Sequence, residues 1–157
     1  MPIHTPATVT REVSDGTGNP CGPFEALLFS DAGGLTQFGA FVEILPPGSR
    51  SSIKHWHSAE DEMVYMLGGE VLVHEGDSTI PLRPGDVATF RAGEPAGHCL
   101  ENASGAEARY LVIGTRAPVD RVTYSEDDCV LELDRAAGTK RWTTFDGKPR
   151  GTPYTTG

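Results

Sequence analysis

The stretch His55-Trp56-His57-Ser58-Ala59-Glu60-Asp61-Glu62-Met63-Val64-Tyr65-Met66-Leu67-Gly68-Gly69 decides the fold. On a β-strand, side chains at i and i+2 share a face, so His55 and His57 stand side by side while Trp56 points away. On a helix the same pair diverges, because neighbours on a helical face are three or four residues apart. The triplet therefore argues for a strand presenting two imidazoles together. With Glu62 inward, Val64 and Met66 share its face, and Met63, Tyr65 and Leu67 form an outward apolar row. An inward carboxylate backed by apolar side chains suits a ligand cavity in a small barrel. The same parity turns Tyr65 away from the histidines.

Upstream of this stretch, Phe38, Ala40, Val42 and Ile44 alternate with Gly39, Phe41 and Glu43, ending at Pro46-Pro47-Gly48. Downstream, residues 70–74 and 79–82 flank Glu75-Gly76-Asp77-Ser78 as a hairpin. Pro84-Gly85-Asp86 is a turn before a strand over 87–90, and residues 98–100 and 108–113 read as two more strands. Seven or eight short strands, turn signals between them and no amphipathic helix in the middle predict an all-β barrel or sandwich. Residues 24–29 read as a strand or one turn of helix, with a peripheral strand favoured. Residues 1–23 are polar and Pro/Gly-rich and read as an N-terminal arm. After Thr115, residues 116–124 read as irregular, Glu126-Asp127-Asp128 as a solvated turn, and 129–133 as a short edge strand. Residues 140–157 carry no continuous core pattern. The organisation expected is one domain over 1–157: arm 1–23, barrel 24–115, and a packed tail 116–157 pinned by Trp142 and Phe145.

At 157 residues the chain is long enough for one domain with a real core. Its 19 glycines and 12 prolines suit short strands and tight turns better than helices. A net charge of −9, with no basic stripe, speaks against nucleic-acid binding. Cys21, Cys99 and Cys129 form neither a disulfide framework nor a Cys-x-x-Cys zinc pair, which fits a reducing, cytoplasmic setting. No secretory pattern opens the sequence and no apolar run reaches the length of a membrane span.

His55, His57, Glu62 and, far downstream, His98 together offer three imidazoles and a carboxylate, a set able to close around a divalent ion. On an octahedral ion they leave open positions, which suits iron(II), manganese, nickel or cobalt; zinc binds with fewer ligands. The remaining candidates read more plainly. Glu60 and Asp61 are expected to be solvated loop acids, with Glu60 replacing Glu62 as ligand if the turn is tighter. Cys99, outward beside His98, is expected to be an inert buried thiol. His4 and His74 read as surface residues, and Trp56 as a side chain packed beneath another strand or a partner chain. Arg91 and Glu94 lie near the site mouth as possible substrate contacts. No second constellation, such as a His–Asp pair, is evident.

Residues 48–102 resemble the cupin superfamily. Its first motif matches Gly48, His55, His57, Glu62 and Gly69; its second matches Gly85, Gly93, His98 and Asn102. Two departures stand out: Arg91 occupies the place of the usual proline, and His98 lies two residues later than in the common pattern. The tail with Arg141-Trp142 and Asp146-Gly147 is similar to a group of small single-domain bacterial cupins, mostly without an assigned activity. The resemblance implies a double-stranded β-helix (the cupin jelly-roll barrel), with His55, His57, Glu62 and His98 as metal ligands. It also implies a small-molecule ligand and a homodimer. The reaction stays open among oxygenase, isomerase, lyase and decarboxylase chemistry, against a non-catalytic sensor or storage module.

Overall fold

The computed structural model describes residues 1–154, so the last three residues of the expected tail lie outside the described residues. The order is β1 (Arg11–Ser14), β2 (Phe24–Leu27), α1 (Phe29–Ala32), β3 (Phe38–Leu45), β4 (Trp56–His57), β5 (Glu62–Gly68), β6 (Val71–Glu75) and β7 (Ser78–Leu82). There follow β8 (Val87–Phe90), β9 (His98–Glu101), β10 (Ala108–Thr115), β11 (Val119–Tyr124), β12 (Cys129–Asp134) and β13 (Thr139–Thr143). The strands pair in the orders β1-β2-β3-β10-β5-β8, β13-β12-β11-β4 and β7-β6-β9. Every pairing is antiparallel. The result is the double-stranded β-helix that the sequence resemblance implied.

Alternation places the core where the sequence put it. On β5, Val64 and Met66 are fully buried, whereas Tyr65 and Leu67 are exposed. Tyr110 and Val112 of β10 join them beneath Leu45, Val71 and Leu100 in one apolar cluster. The outer face of β3 is covered instead by the N-terminal segment, where Val42 and Ile44 pack with Val9, Leu27 and Phe29. Gly69 closes β5 at φ +76, and a Cβ there would meet the Glu107 carbonyl oxygen at 2.6 Å and the Ala108 Cα at 2.9 Å. Only glycine fits that turn, which explains its place in the motif.

Several expectations are corrected. Residues 119–124 are not irregular: they form β11, which pairs with β4 through Val122↔His57 and Thr123↔Trp56. The buried members of β11, Asp120, Val122 and Tyr124, alternate properly, but the acid breaks the apolar pattern. β12 is not an edge strand, because β13, drawn from the stretch read as patternless, pairs along its free side. Residues 24–29 contain both elements weighed, a strand to Leu27 and a helical turn from Phe29. The arm contributes β1, paired along β2. Trp142 packs in a second cluster with Tyr124 and Leu131, whereas Phe145 is exposed and does not pin the tail. Among the described residues no helix is long and apolar enough to cross a membrane.

Candidate metal centre

Three strand segments bring the centre together. His55 precedes β4 and forms an isolated bridge with His98 at the start of β9, exchanging backbone hydrogen bonds of 3.1 and 2.9 Å. Glu62 opens β5. One ligand atom each from His55, Glu62 and His98 lies within 4.8 Å of the others. The late position of His98 is thus absorbed by the preceding turn, since its backbone still pairs with His55.

Hydrogen bonding and burial set the state of His55. His55 Nδ1 lies 2.9 Å from the Ile53 carbonyl oxygen, an atom that can only accept, so Nδ1 carries the proton and Nε2 keeps its lone pair. Burial, with the neighbouring His98 adding to it, pushes the His55 pKa down to about 4, so the ring is neutral at physiological pH. His98 stacks on Phe90 with ring centres 3.6 Å apart. Its Nε2 is buried without a hydrogen-bond partner and stands 3.5 Å from Glu62 Oε1. Burial works to raise the Glu62 pKa, but the surrounding histidines outweigh it and hold the carboxyl below its ordinary value. A neutral His55 nitrogen and a carboxylate held toward its ionised form therefore lie close to the buried, unbonded Nε2 of His98, the donor set that a divalent ion takes.

His57 stands beside His55, with ring centres 5.1 Å apart. The structure groups it with Glu60 and Asp120, not with the inner three residues: its Nδ1 is turned to Asp120 Oδ2 at 2.7 Å. Asp120 is almost completely buried and also accepts from the Ser58 hydroxyl and the Ala59 amide. Burial alone would lower the His57 pKa; the Asp120 hydrogen bond and charge outweigh it and raise it. Burial likewise opposes ionisation of Asp120, and His57 with the Ala59 N–H overturns that and lowers its pKa. Asp120 was missed from the sequence, as was the His57–Asp120 pair. The one available signal was its inward parity with Val122 and Tyr124.

Glu60 is not a solvated acid. It is buried, accepts from Arg135 Nη2 at 2.7 Å and from the Ala117 amide at 3.0 Å, and lies 3.9 Å from His57 Nδ1. Because it joins the outer His57–Asp120 group, it does not replace Glu62 in the inner one. Trp56, expected to pack away, is half-buried and lines the cavity beside His57, since a two-residue strand at the rim meets the cleft on both faces. His74 is not simply a surface residue: its ring nitrogens bond Thr79 and Glu101. Cys99 is buried, and that burial raises its thiol pKa, which disfavours the thiolate that a nucleophile needs. Arg91 and Glu94 both line the cavity mouth.

A family model described as a cupin domain matches residues 41–114. Over the whole length, the chain is similar to a cupin-superfamily structure from Silicibacter pomeroyi DSS-3 described as a sugar phosphate isomerase. The identity is 33%, with 99% of this chain and 100% of that one covered, at a TM-score of 0.85. This chain belongs to the cupin superfamily. A candidate sugar phosphate isomerase of Acidithiobacillus ferrooxidans resembles this cupin at 25% identity, 93% and 92% coverage, and a TM-score of 0.80. An oxalate-binding protein of Thermotoga maritima is 35% identical over 69 residues, 44% of this cupin and 54% of that protein. The cupin thus spans about half the length of the curated relative it matches.

Proposed function

We propose that this cupin holds a divalent metal ion with His55, His57, Glu62 and His98 and isomerises a small phosphorylated sugar. The observation that carries the metal reading is the convergence of His55, Glu62 and His98 around the unpartnered Nε2 of His98. The full-length likeness to a protein described as a sugar phosphate isomerase supports the chemistry. When bound, a divalent ion supplies Lewis-acid polarisation of a substrate carbonyl or hydroxyl oxygen. The chain's own part is orientation. The Ile53 carbonyl and Asp120 fix the tautomers of His55 and His57, and Phe90 holds the His98 ring by stacking. The cavity beside these groups is about 10 Å³, room for a single water, so a substrate reaches the centre only by its reacting end.

Metal content of the purified protein against the His55→Ala/His57→Ala double variant tests the ligands; unchanged content in the variant sinks the assignment. Interconversion of aldose and ketose phosphates by protein loaded in turn with iron(II), manganese, nickel, cobalt or zinc tests the reaction. A second reading, a non-catalytic module that binds a small dicarboxylate, is favoured by the oxalate-binding relative, whose match is confined to 69 residues. Stoichiometric oxalate binding with no turnover of any sugar phosphate would select it. The exposed apolar row of Tyr65, Leu67 and Val87 supports a homodimer, which light scattering reads as twice the chain mass.

A further inference from the structure

Beside the tight cavity lies a second, open groove of about 420 Å³, within the range of small-molecule sites. Its walls include Met63, Phe90 and Ile113, and Thr89 and Thr115 add hydroxyl groups. Glu62 lines both spaces, so the groove begins at a residue of the metal centre. Arg91 also lines both, and among the described residues it is the only lysine or arginine lining either. Its backbone position is fixed by the Glu62↔Phe90 rung, which places Arg91 one residue beyond the ligand carboxylate's own partner.

The state of Arg91 is unusual for an arginine in an acidic chain. Its side chain is 81% exposed and its one ion pair, with Glu94, is long at 3.4 Å. An exposed pair of that kind contributes little, and a guanidinium has five N–H donors in a fork that matches a phosphate. Asp61 and Glu94 beside it, with a net charge of −9 on the whole chain, repel an anion from the rest of the mouth. One cation in such a field dictates where an anionic end can settle. Arg91 also stands where the family pattern has proline, so the cation is a feature of this chain's own sequence.

We propose that Arg91 anchors the phosphate of the substrate, and that the groove from Glu62 to Arg91 seats the sugar between metal and anchor. This rests on the sugar phosphate reading above. The apolar walls suit the C–H faces of a sugar, and the threonine hydroxyls suit its hydroxyl groups.

The test is calorimetric titration with inorganic phosphate at constant ionic strength, on metal-free and metal-loaded protein, with metal content measured on the same samples. The wild type should bind phosphate in the metal-free form. R91A should weaken that binding by about tenfold or more, R91K should fall between them, and E94Q, which frees the guanidinium, should tighten it. Arg91 and Glu94 are exposed, so these variants leave the core untouched. The proposal is overturned if metal-free wild type binds no phosphate, or if R91A binds it as tightly as wild type. It is also overturned if binding needs the metal and ignores Arg91, because phosphate then sits on the ion. Missing metal would defeat the functional reading by itself, while the titration of metal-free protein judges the anchor alone.

Discussion

Two groups of ionisable side chains stand side by side where His57 neighbours His55, and they are built on opposite principles. In the inner group, His55, Glu62 and His98 face one another with a buried nitrogen unpartnered. In the outer group, His57, Glu60 and Asp120 are closed by hydrogen bonds from Ser58, Ala59 and Ala117 and by the Arg135 guanidinium. Both have the residue types of a metal site. A cation added to the outer group would have to displace a hydrogen bond of 2.7 Å and sit near Arg135, whereas in the inner group it meets a buried nitrogen that makes no hydrogen bond. The difference teaches that unsatisfied polar atoms, more than residue types, separate a ligand cage from the scaffold that aims it.

The largest effect that could break this contrast is on metal content. His98→Ala should reduce bound metal to background, as measured by elemental analysis after dialysis. Full retention in His98→Ala, with loss in an outer-group variant, would reverse the two roles. Asp120→Asn should come next. It keeps an acceptor for His57 Nδ1 but removes the charge, and loss of such a supporting carboxylate typically weakens metal binding about 10–100-fold. Competition with a chelator of known affinity reads that change. An affinity equal to wild type would make Asp120 a structural acid only.

How much of this was legible in the sequence follows the range of the contacts. β5 and β8 were readable because alternation is local, and Glu62, Val64 and Met66 fall on the face expected. The outer group was not, because each of its bonds joins distant segments. Asp120 lies 63 residues from His57, and Arg135 lies 75 from Glu60. A glutamate in an acidic loop reads as solvated until the cation that buries it is known. β11 was lost for a related reason: its inward face carries a charge in place of an apolar side chain. His98 carried a shifted spacing in the sequence, and the structure brings it beside His55 all the same, because the longer turn still lets the two backbones form a bridge.

Arg135→Ala sharpens the contrast from the outer side. It leaves the buried Glu60 with the Ala117 amide as its main remaining donor. Because Arg135 is 40% exposed at its side chain, the cost is that of one under-satisfied buried acceptor, about 1–3 kcal/mol in urea unfolding. Metal affinity should change far less than in Asp120→Asn. An equal loss of metal in both variants would mean that the outer group acts as one unit.

The smallest expected effect comes from Glu43, an interior acid that belongs to neither group. Glu43 is buried on β3 opposite Tyr110, whose hydroxyl has no well-formed hydrogen-bond partner. Burial, with the charge of Glu62 adding to it, raises the Glu43 pKa from its ordinary 4.5 to about 8. Between those values the folded chain holds a proton that the unfolded chain has already released. Stability therefore falls as pH rises through that window, by at most about 1.4 kcal/mol per pH unit from this group. Glu43→Gln, neutral and of the same shape, should remove that component, so the unfolding free energies of the two proteins should diverge from pH 6.5 to 7.5, with the variant losing less. Parallel curves would show that Glu43 ionises in the folded barrel. Burial raises the pKa of Glu43, which has no base beside it, whereas the imidazoles around Glu62 hold its carboxyl below the ordinary value; that contrast ties the ionised state of the inner carboxylate to its histidine neighbours.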